Sequence, residues 1–329
     1  MASIYIRPAD TKDVDLARDS FPDLLPDRWR EGGNRRSFVA VLPRDGFAGS
    51  SHGEEIVGHC RGIDNAAHPR SRILVFDVSP ALHGTDAERD LLRALTGTSA
   101  LPLHSKLEQG DDALRALLLS AGSTLVQLMP PGRYVVDDNL KAWARSTLAT
   151  QDTDCQLVPA AEVSPEDVLA LEVDHYIAQH ETWSPAAQRA DLLDYLSEDH
   201  DPSSPGAWNR EHSRAVTTRD GALLAGALVW GAVEQAEAPS RGDEAPEVGH
   251  LSRPYASPAS WANKLCAIAG VIQSVPMGTV LCIDSHLSMQ DEFTAIGSIP
   301  GANRDNGQWR AIVATPAPGG VTPTPWIPR

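Results

Sequence analysis

Asp77–Glu88 reads DVSPALHGTDAE, and Leu251–Ala262 reads LSRPYASPASWA. Each is a β-like run that meets a proline, crosses a loop of small residues and enters a segment with apolar residues at helical spacing. The first continues as RDLLRALTG and the second as NKLCAIAGVIQ. A strand that feeds a helix start in this way brings a ligand's phosphates to the unpaired N–H groups and the positive end of the helix dipole. One chain doing this twice, about 175 residues apart, points to an internal repeat.

The elements around the two stretches follow a common order. In the first half SIYIRPAD is a strand that stops at Pro8, and a helix follows with Asp10 or Thr11 as N-cap. RRSFVAVLPRDG and EEIVGHCRGI form a long hairpin around Asp45–Gly53. RILVFDVSP is a strand, DAERDLLRAL a helix, LPLHSKL a short strand, and GDDALRALLLSAG a helix ended by Gly122. TLVQLMPPGRYVV closes the half as one or two strands.

In the second half CQLVPAAEV is a strand, and Ser164, Pro165 and Asp167 open the helix DVLALEVDHYIAQH. AAQRADLLDYL is a further helix, and SRAVTTRDG pairs with ALLAGALVWGAVEQ through a turn at Asp220-Gly221. VGHLSRP, SPASWANKLCAIAGVIQ, TVLCIDSH, MQDEFTAIGS and QWRAIVATP then alternate strand and helix, and a Pro-rich tail packs through Trp326. The predicted division is a module over 1–138, a linker over 139–154 with a short helix centred on Trp143, and a module over 155–329. The class is α/β (α+β), each module a mixed, mostly antiparallel sheet flanked by helices.

Composition agrees with two globular modules: 329 residues, 42% apolar and 22% charged. Residues 1–150 carry 18 Lys and Arg against 20 Asp and Glu, and the remainder 10 against 24. The acidic second half repels nucleic acid and favours an amine or cationic partner. Four cysteines without CxxC spacing fit a reduced, cytoplasmic protein. No basic-then-apolar start and no run of 18 apolar residues indicates secretion or a membrane span. Arg outnumbers Lys 24 to 4, the habit of a GC-rich bacterial genome.

Arranged this way, the chain resembles the GNAT superfamily of N-acetyltransferases, present as two tandem copies that cover nearly all of it. In that family a strand ending in V-x-P enters an R-G-x-G-x-G/A loop whose amides hold the acyl-CoA pyrophosphate. The first copy, VSPALHGTDAERDLL, has His83 at the arginine position, keeps Gly84, and has Asp86 and Glu88 at the next two glycine positions. Two carboxylates facing a pyrophosphate repel it, so the first module is expected to be non-catalytic. The second copy keeps small residues, although Pro258 removes one amide donor. The resemblance therefore places acyl-CoA, as co-substrate, on Ser257, Ser260, Trp261, Ala262 and Asn263. The tyrosine that many family members use as general acid falls at Leu118 and Phe293, neither of which donates a proton.

Acyl transfer to an amine needs a base for the amine and a proton for the leaving group. On the strand EVGHL, His250 is the first candidate base and Glu247 a second; they lie three apart, on opposite faces. Across the groove CIDSH supplies Ser285 or His286 to protonate the leaving thiol, with Asp284 on the same face as His286. Glu172, Tyr176 and His180 form a stripe on one helix. With Trp183, Trp230 and Asp284 they make an acidic, aromatic wall suited to a cationic amine. No metal site is expected: His175 and His180 are five apart, and there is no HExxH.

The leading expectation is an N-acyltransferase moving an acyl group from acyl-CoA to a small-molecule amine, in biosynthesis of specialised metabolites or in resistance. One alternative is an aminoacyl-tRNA-dependent amide-forming transferase, the only case in which nucleic acid is a partner. Another is a non-catalytic ligand-binding protein. No membrane partner is expected, and the sequence leaves the oligomeric state open.

Overall fold

The computed structural model describes residues 3–28, 35–43, 53–130, 132–233, 245–252, 258–301 and 309–317. Its two compact units are Met1–Val126 with Ala311–Arg329, and Gln127–Arg310.

The first unit contains β1 (Tyr5–Pro8), α1 (Thr11–Ala17), β2 (Arg35–Pro43), β3 (Glu54–Asp64), β4 (Arg72–Val78), α2 (Asp86–Thr96), β5 (Leu103–Leu107), α3 (Asp112–Ser120) and β6 (Thr124–Met129). Its seventh strand is β13 (Arg310–Thr315), from the far end of the chain, and the sheet order is β1-β2-β3-β4-β5-β13-β6. Asp10 caps α1 in a reciprocal box with Asp13, and Thr85 caps α2 through the Glu88 N–H. Leu91, Leu92 and Leu95 of α2 and Leu117 and Leu118 of α3 bury against Phe38, Ala40, Val57 and Leu74. Each fully buried leucine contributes roughly 1.5–3 kcal/mol. Gly122 ends α3 with φ 81°, a left-handed conformation that only glycine adopts without strain.

The second unit contains β7 (Arg133–Val135), α4 (Asp138–Ala149), β8 (Cys155–Pro159), α5 (Pro165–His180), α6 (Arg189–His200), β9 (Arg214–Thr218), β10 (Leu223–Trp230), β11 (Glu247–Ser252), α7 (Pro258–Ser274), β12 (Val280–Cys282) and α8 (Gln290–Ile296). The sheet order is β7-β12-β11-β10-β9-β8. Ser164 caps α5 on the Asp167 N–H, with Pro165 at the first helical position. α7 is apolar on almost every side, and Cys266–Ala269, Val271, Ile272 and Val275 fill the core between the sheet and α4. At Gly270 a side chain would lie 2.8 Å from Leu157, so glycine sets how closely α7 approaches β8.

Both sheets are mixed and flanked by helices, the predicted class. The boundary differs from the expected one. The sequence places 1–138 in one module and 139–154 in a linker. In the structure the chain crosses into the second unit at Gln127, β7 pairs with β12, and the 12-residue α4 is part of the second core. The last strand returns to the first sheet, pairing with β5 from Ala311↔Leu107 to Thr315↔Leu103. Periodicity shows that a strand exists but not which sheet it joins, because any strand with one apolar face suits either. The segment expected as the strand TVLCIDSH pairs only over Val280–Cys282. Trp326 and the tail lie outside the described residues.

Candidate active site

In each unit one parallel strand pair separates soon after it forms. β4 and β5 pair at Arg72↔Leu103 and Ile73↔His104, and β11 and β12 only at Glu247↔Cys282. Beyond these points the strands part, so the edge of β11 from Val248 onward has no partner strand on the β12 side among the described residues.

In the first unit the loop before α2 already holds an anion. Glu88 folds back so that Oε2 accepts from the Gly84 N–H (2.7 Å) and Oε1 contacts His83 Nδ1 (3.1 Å), with its side chain 4% exposed. Asp86 points outward and pairs with Arg89. Of the two expected carboxylates, one occupies the loop and the other leaves it. Leu118, at the family's tyrosine position, is fully buried.

In the second unit, α5, α6, the end of β10, β11 and the chain after β12 enclose a cavity of about 420 Å³. Glu172, His175, Tyr176, Gln179, His180, Asp199, Trp230, Glu247–Leu251, Asp284 and His286 line it. Four of these residues are acids and none is lysine or arginine. Glu172 Oε2 hydrogen-bonds His200 Nε2, and the Trp208 indole N–H donates to His200 Nδ1 at 3.3 Å. An indole can only donate, so Nδ1 accepts and the ring proton sits on Nε2, aimed at Glu172. One oxygen of Glu172 is thus fixed by a buried imidazole, leaving Oε1 for the cavity. Tyr176 and His180 pack with ring centres 4.1 Å apart, and His286 meets both His180 and Trp183 edge-on at 5.6 Å. Burial, reinforced by Tyr195 and Glu172, raises the Tyr176 phenol far above its ordinary value and keeps it protonated.

Most of the predicted wall comes together. Glu172, Tyr176, His180, Trp230, Asp284, Glu247, His250 and His286 all border the cavity, while Trp183 backs it, its indole N–H donating to the Gln179 carbonyl. Gly249 makes room for Trp230, whose ring would lie 2.3 Å from a Cβ there. Three roles change. His250 is 4% exposed; its Nε2 donates to the Asp284 carbonyl at 2.6 Å and its Nδ1 faces Glu292 at 3.8 Å, so neither nitrogen is presented to an acceptor as a free base. Ser285 is 2% exposed and absent from the cavity lining. Asp284 is neutralised by Arg310. His286 is 8% exposed, and burial lowers it to about 4, leaving a neutral ring ill suited to donate a proton.

Ser260, Trp261, Ala262 and Asn263 lie in the first turns of α7, and Ser257 lies outside the described residues. Sequence reasoning missed His200, Asp199, Lys264 and Glu292. Lys264 left one sign: it is the only charged residue in the 17-residue α7. His200 and Asp199 left none, since a polar end of a surface helix is ordinary.

Three donors, His175, His250 and Glu292, lie within 4.8 Å of one another, all buried. They come from three elements, so the absence of a two-histidine helix motif did not bear on them. Burial works against ionisation of Glu292, but the Lys264 ammonium beside it favours the carboxylate, and the group lies below the usual carboxylate range. Burial lowers His175 to about 3 and His59, in the first unit, to about 4.

These histidines set an acid limit. The unfolded chain binds their protons near the ordinary imidazole pKa of about 6.5, whereas the folded chain refuses them until about 4 or 3. The unfolded state therefore holds more protons in that window, and stability falls with pH by up to about 1.4 kcal/mol per unit for each histidine. Urea midpoints measured from pH 7 to 4.5 are expected to drop steeply below about 6.5. A flat profile would contradict buried neutral rings.

In each unit a parallel strand pair parts ahead of a helix, and the fold is similar to that of solved acyltransferase-like proteins. The whole chain is similar to a conserved protein of unknown function from Enterococcus faecalis V583, described as a probable N-acyltransferase: TM-score 0.53, 9% identity, 95% of this chain and 72% of that one. It also aligns with GCN5-related N-acetyltransferases from Sphaerobacter thermophilus (TM-score 0.47, 10% identity, 98% of both chains) and Kribbella flavida (0.47, 14%, 95% and 71%). No protein-family model matches the sequence, and no curated protein does. None of the helices among the described residues is long and apolar enough to cross a membrane.

Proposed function

We propose that the second unit is an N-acyltransferase that passes an acyl group from acyl-CoA to the amine of a small cationic molecule, in the cytoplasm, with the first unit non-catalytic. The observation that carries the reading is the acidic, aromatic cavity beside the parting of β11 and β12, with the Glu172 carboxylate aimed into it by His200.

Glu172 and Asp199 attract the ammonium group, and Glu172 takes its proton so that the amine can attack. The N–H groups along the unpaired edge of β11 are placed to stabilise the oxyanion formed at the thioester carbon. The proton that Glu172 takes from the amine is returned to the departing thiolate, so the transfer balances without a phenol at the position held by Phe293. Pantetheine enters between the parted strands, and the first turns of α7, from Ser260 to Asn263, face the pyrophosphate. A cavity whose described lining residues include no lysine or arginine offers no support for the charged-tRNA alternative.

The test is thiol release from acetyl-CoA by the purified chain over a panel of diamines, amino sugars and aminoglycosides, with acetyl-CoA binding followed by calorimetry. Amine-dependent thiol release, lost in Ser260→Asp together with binding, is the expected result. Binding without turnover on any amine would favour the ligand-binding alternative, and no binding at millimolar acetyl-CoA would sink the donor assignment.

A further inference from the structure

The buried group around Glu292 presents an unusual balance of acceptors. Glu292 (0% exposed) and Lys264 (1%) form an ion pair at 2.7 Å through Oε2. The same oxygen is 3.8 Å from His250 Nδ1 and 3.9 Å from His175 Nε2. Because His250 donates through Nε2 to the Asp284 carbonyl, its Nδ1 carries a lone pair, and that lone pair faces a carboxylate. Two buried acceptors facing each other with no proton between them favour a cation there. Histidines that ligate metals are held in just this way, the second ring nitrogen donating to a backbone carbonyl. Both His250 Nδ1 and Glu292 Oε1 are buried without a hydrogen-bond partner. Lys264 also lies 4.8 Å from the Trp261 ring centre, so its charge is shared between the carboxylate and an aromatic face.

We propose that Lys264 is a built-in cation occupying a three-donor pocket of transition-metal type formed by His175, His250 and Glu292, and that through this pocket it positions the Asp284 carbonyl where β11 and β12 part. The ammonium balances the carboxylate as a metal ion would, with one charge instead of two, and is covalently retained. Desolvation pulls Lys264 below the usual ammonium range, but the adjacent carboxylate works the other way and favours the charged form. A divalent ion entering beside the ammonium meets a like charge in a medium that screens poorly. Removing the ammonium leaves a buried anion with two imidazoles around it, a donor set suited to Co2+ or Zn2+.

The experiment is a titration of the full-length chain with Co2+, read by its d–d absorption, in wild type, Lys264→Ala and Lys264→Ala/His175→Ala. Lys264→Ala is expected to bind one Co2+ per chain at least 10-fold more tightly than wild type, with a rise in thermal midpoint that wild type does not show. The His175→Ala change is expected to abolish both. If Lys264→Ala does not fold alone, the titration becomes refolding from urea with and without Co2+, and metal-dependent recovery is the expected result. Failure of Lys264→Ala to take up Co2+ or recover with it overturns the proposal, whether or not stability falls. Equal, His175-dependent binding by wild type overturns it as well, since the pocket would then be an ordinary metal site with Lys264 outside it.

Discussion

Glu172→Gln is expected to lower kcat/KM for amine acylation by about 10²–10⁴, the range general-base catalysis contributes, while acetyl-CoA binding stays within about twofold (~0.4 kcal/mol). Glutamine keeps the shape and can still accept from His200 Nε2, but it cannot take a proton from an ammonium group. The loss should appear in kcat and persist at saturating amine. Trp208→Phe tests the same arrangement one step back. Without the indole donor, His200 Nδ1 loses the contact that fixes its proton on Nε2, and Glu172 loses a fixed partner. A smaller loss of about tenfold is expected, comparable to roughly 1.4 kcal/mol of transition-state stabilisation. Steady-state rates with both variants at matched acetyl-CoA occupancy settle the order. Unchanged activity in Glu172→Gln would remove Glu172 from the base role.

The second large effect concerns the strands. Cutting the chain between 138 and 139, where the sequence suggests a module boundary, is expected to yield no independently folded half. The N-terminal piece would lack β13, which sits between β5 and β6, leaving β5 as an open edge and β6 without its neighbouring strand. It would also carry β7 away from β12 in the other sheet. Each piece should express insolubly or lack a cooperative unfolding transition by circular dichroism. Mixing and refolding the two pieces together should restore the transition. Soluble, cooperatively folding halves would contradict the strand assignments.

The strand and helix order was legible because each element carries its own period and punctuation. Pro8, Asp10, Ser164 and Gly122 stand where chain chemistry allows few alternatives. The exchange of β13 and β7 was not legible, since their alternation of apolar and polar residues is compatible with either sheet. The site was half legible. Glu172, Tyr176 and His180 share a helical stripe, so spacing alone brings them together. His200, Trp208, Lys264 and Glu292 reach their partners from elements 8 to 28 residues apart in sequence, and no local pattern encodes such meetings. For His250 the sequence offers a reference pKa that suits a base, but not its burial or its bond to the Asp284 carbonyl.

Glu88 in the first unit has a thermodynamic consequence. A carboxylate four residues from the amide it binds is present at an effective concentration in the millimolar range or above, set by the tether and not by the surroundings. A free phosphate ester arriving at this loop competes with a ligand that never diffuses away, and it also meets that ligand's negative charge. For such a loop occupancy is written into the chain, so changes in the free concentration of coenzyme leave it as it is.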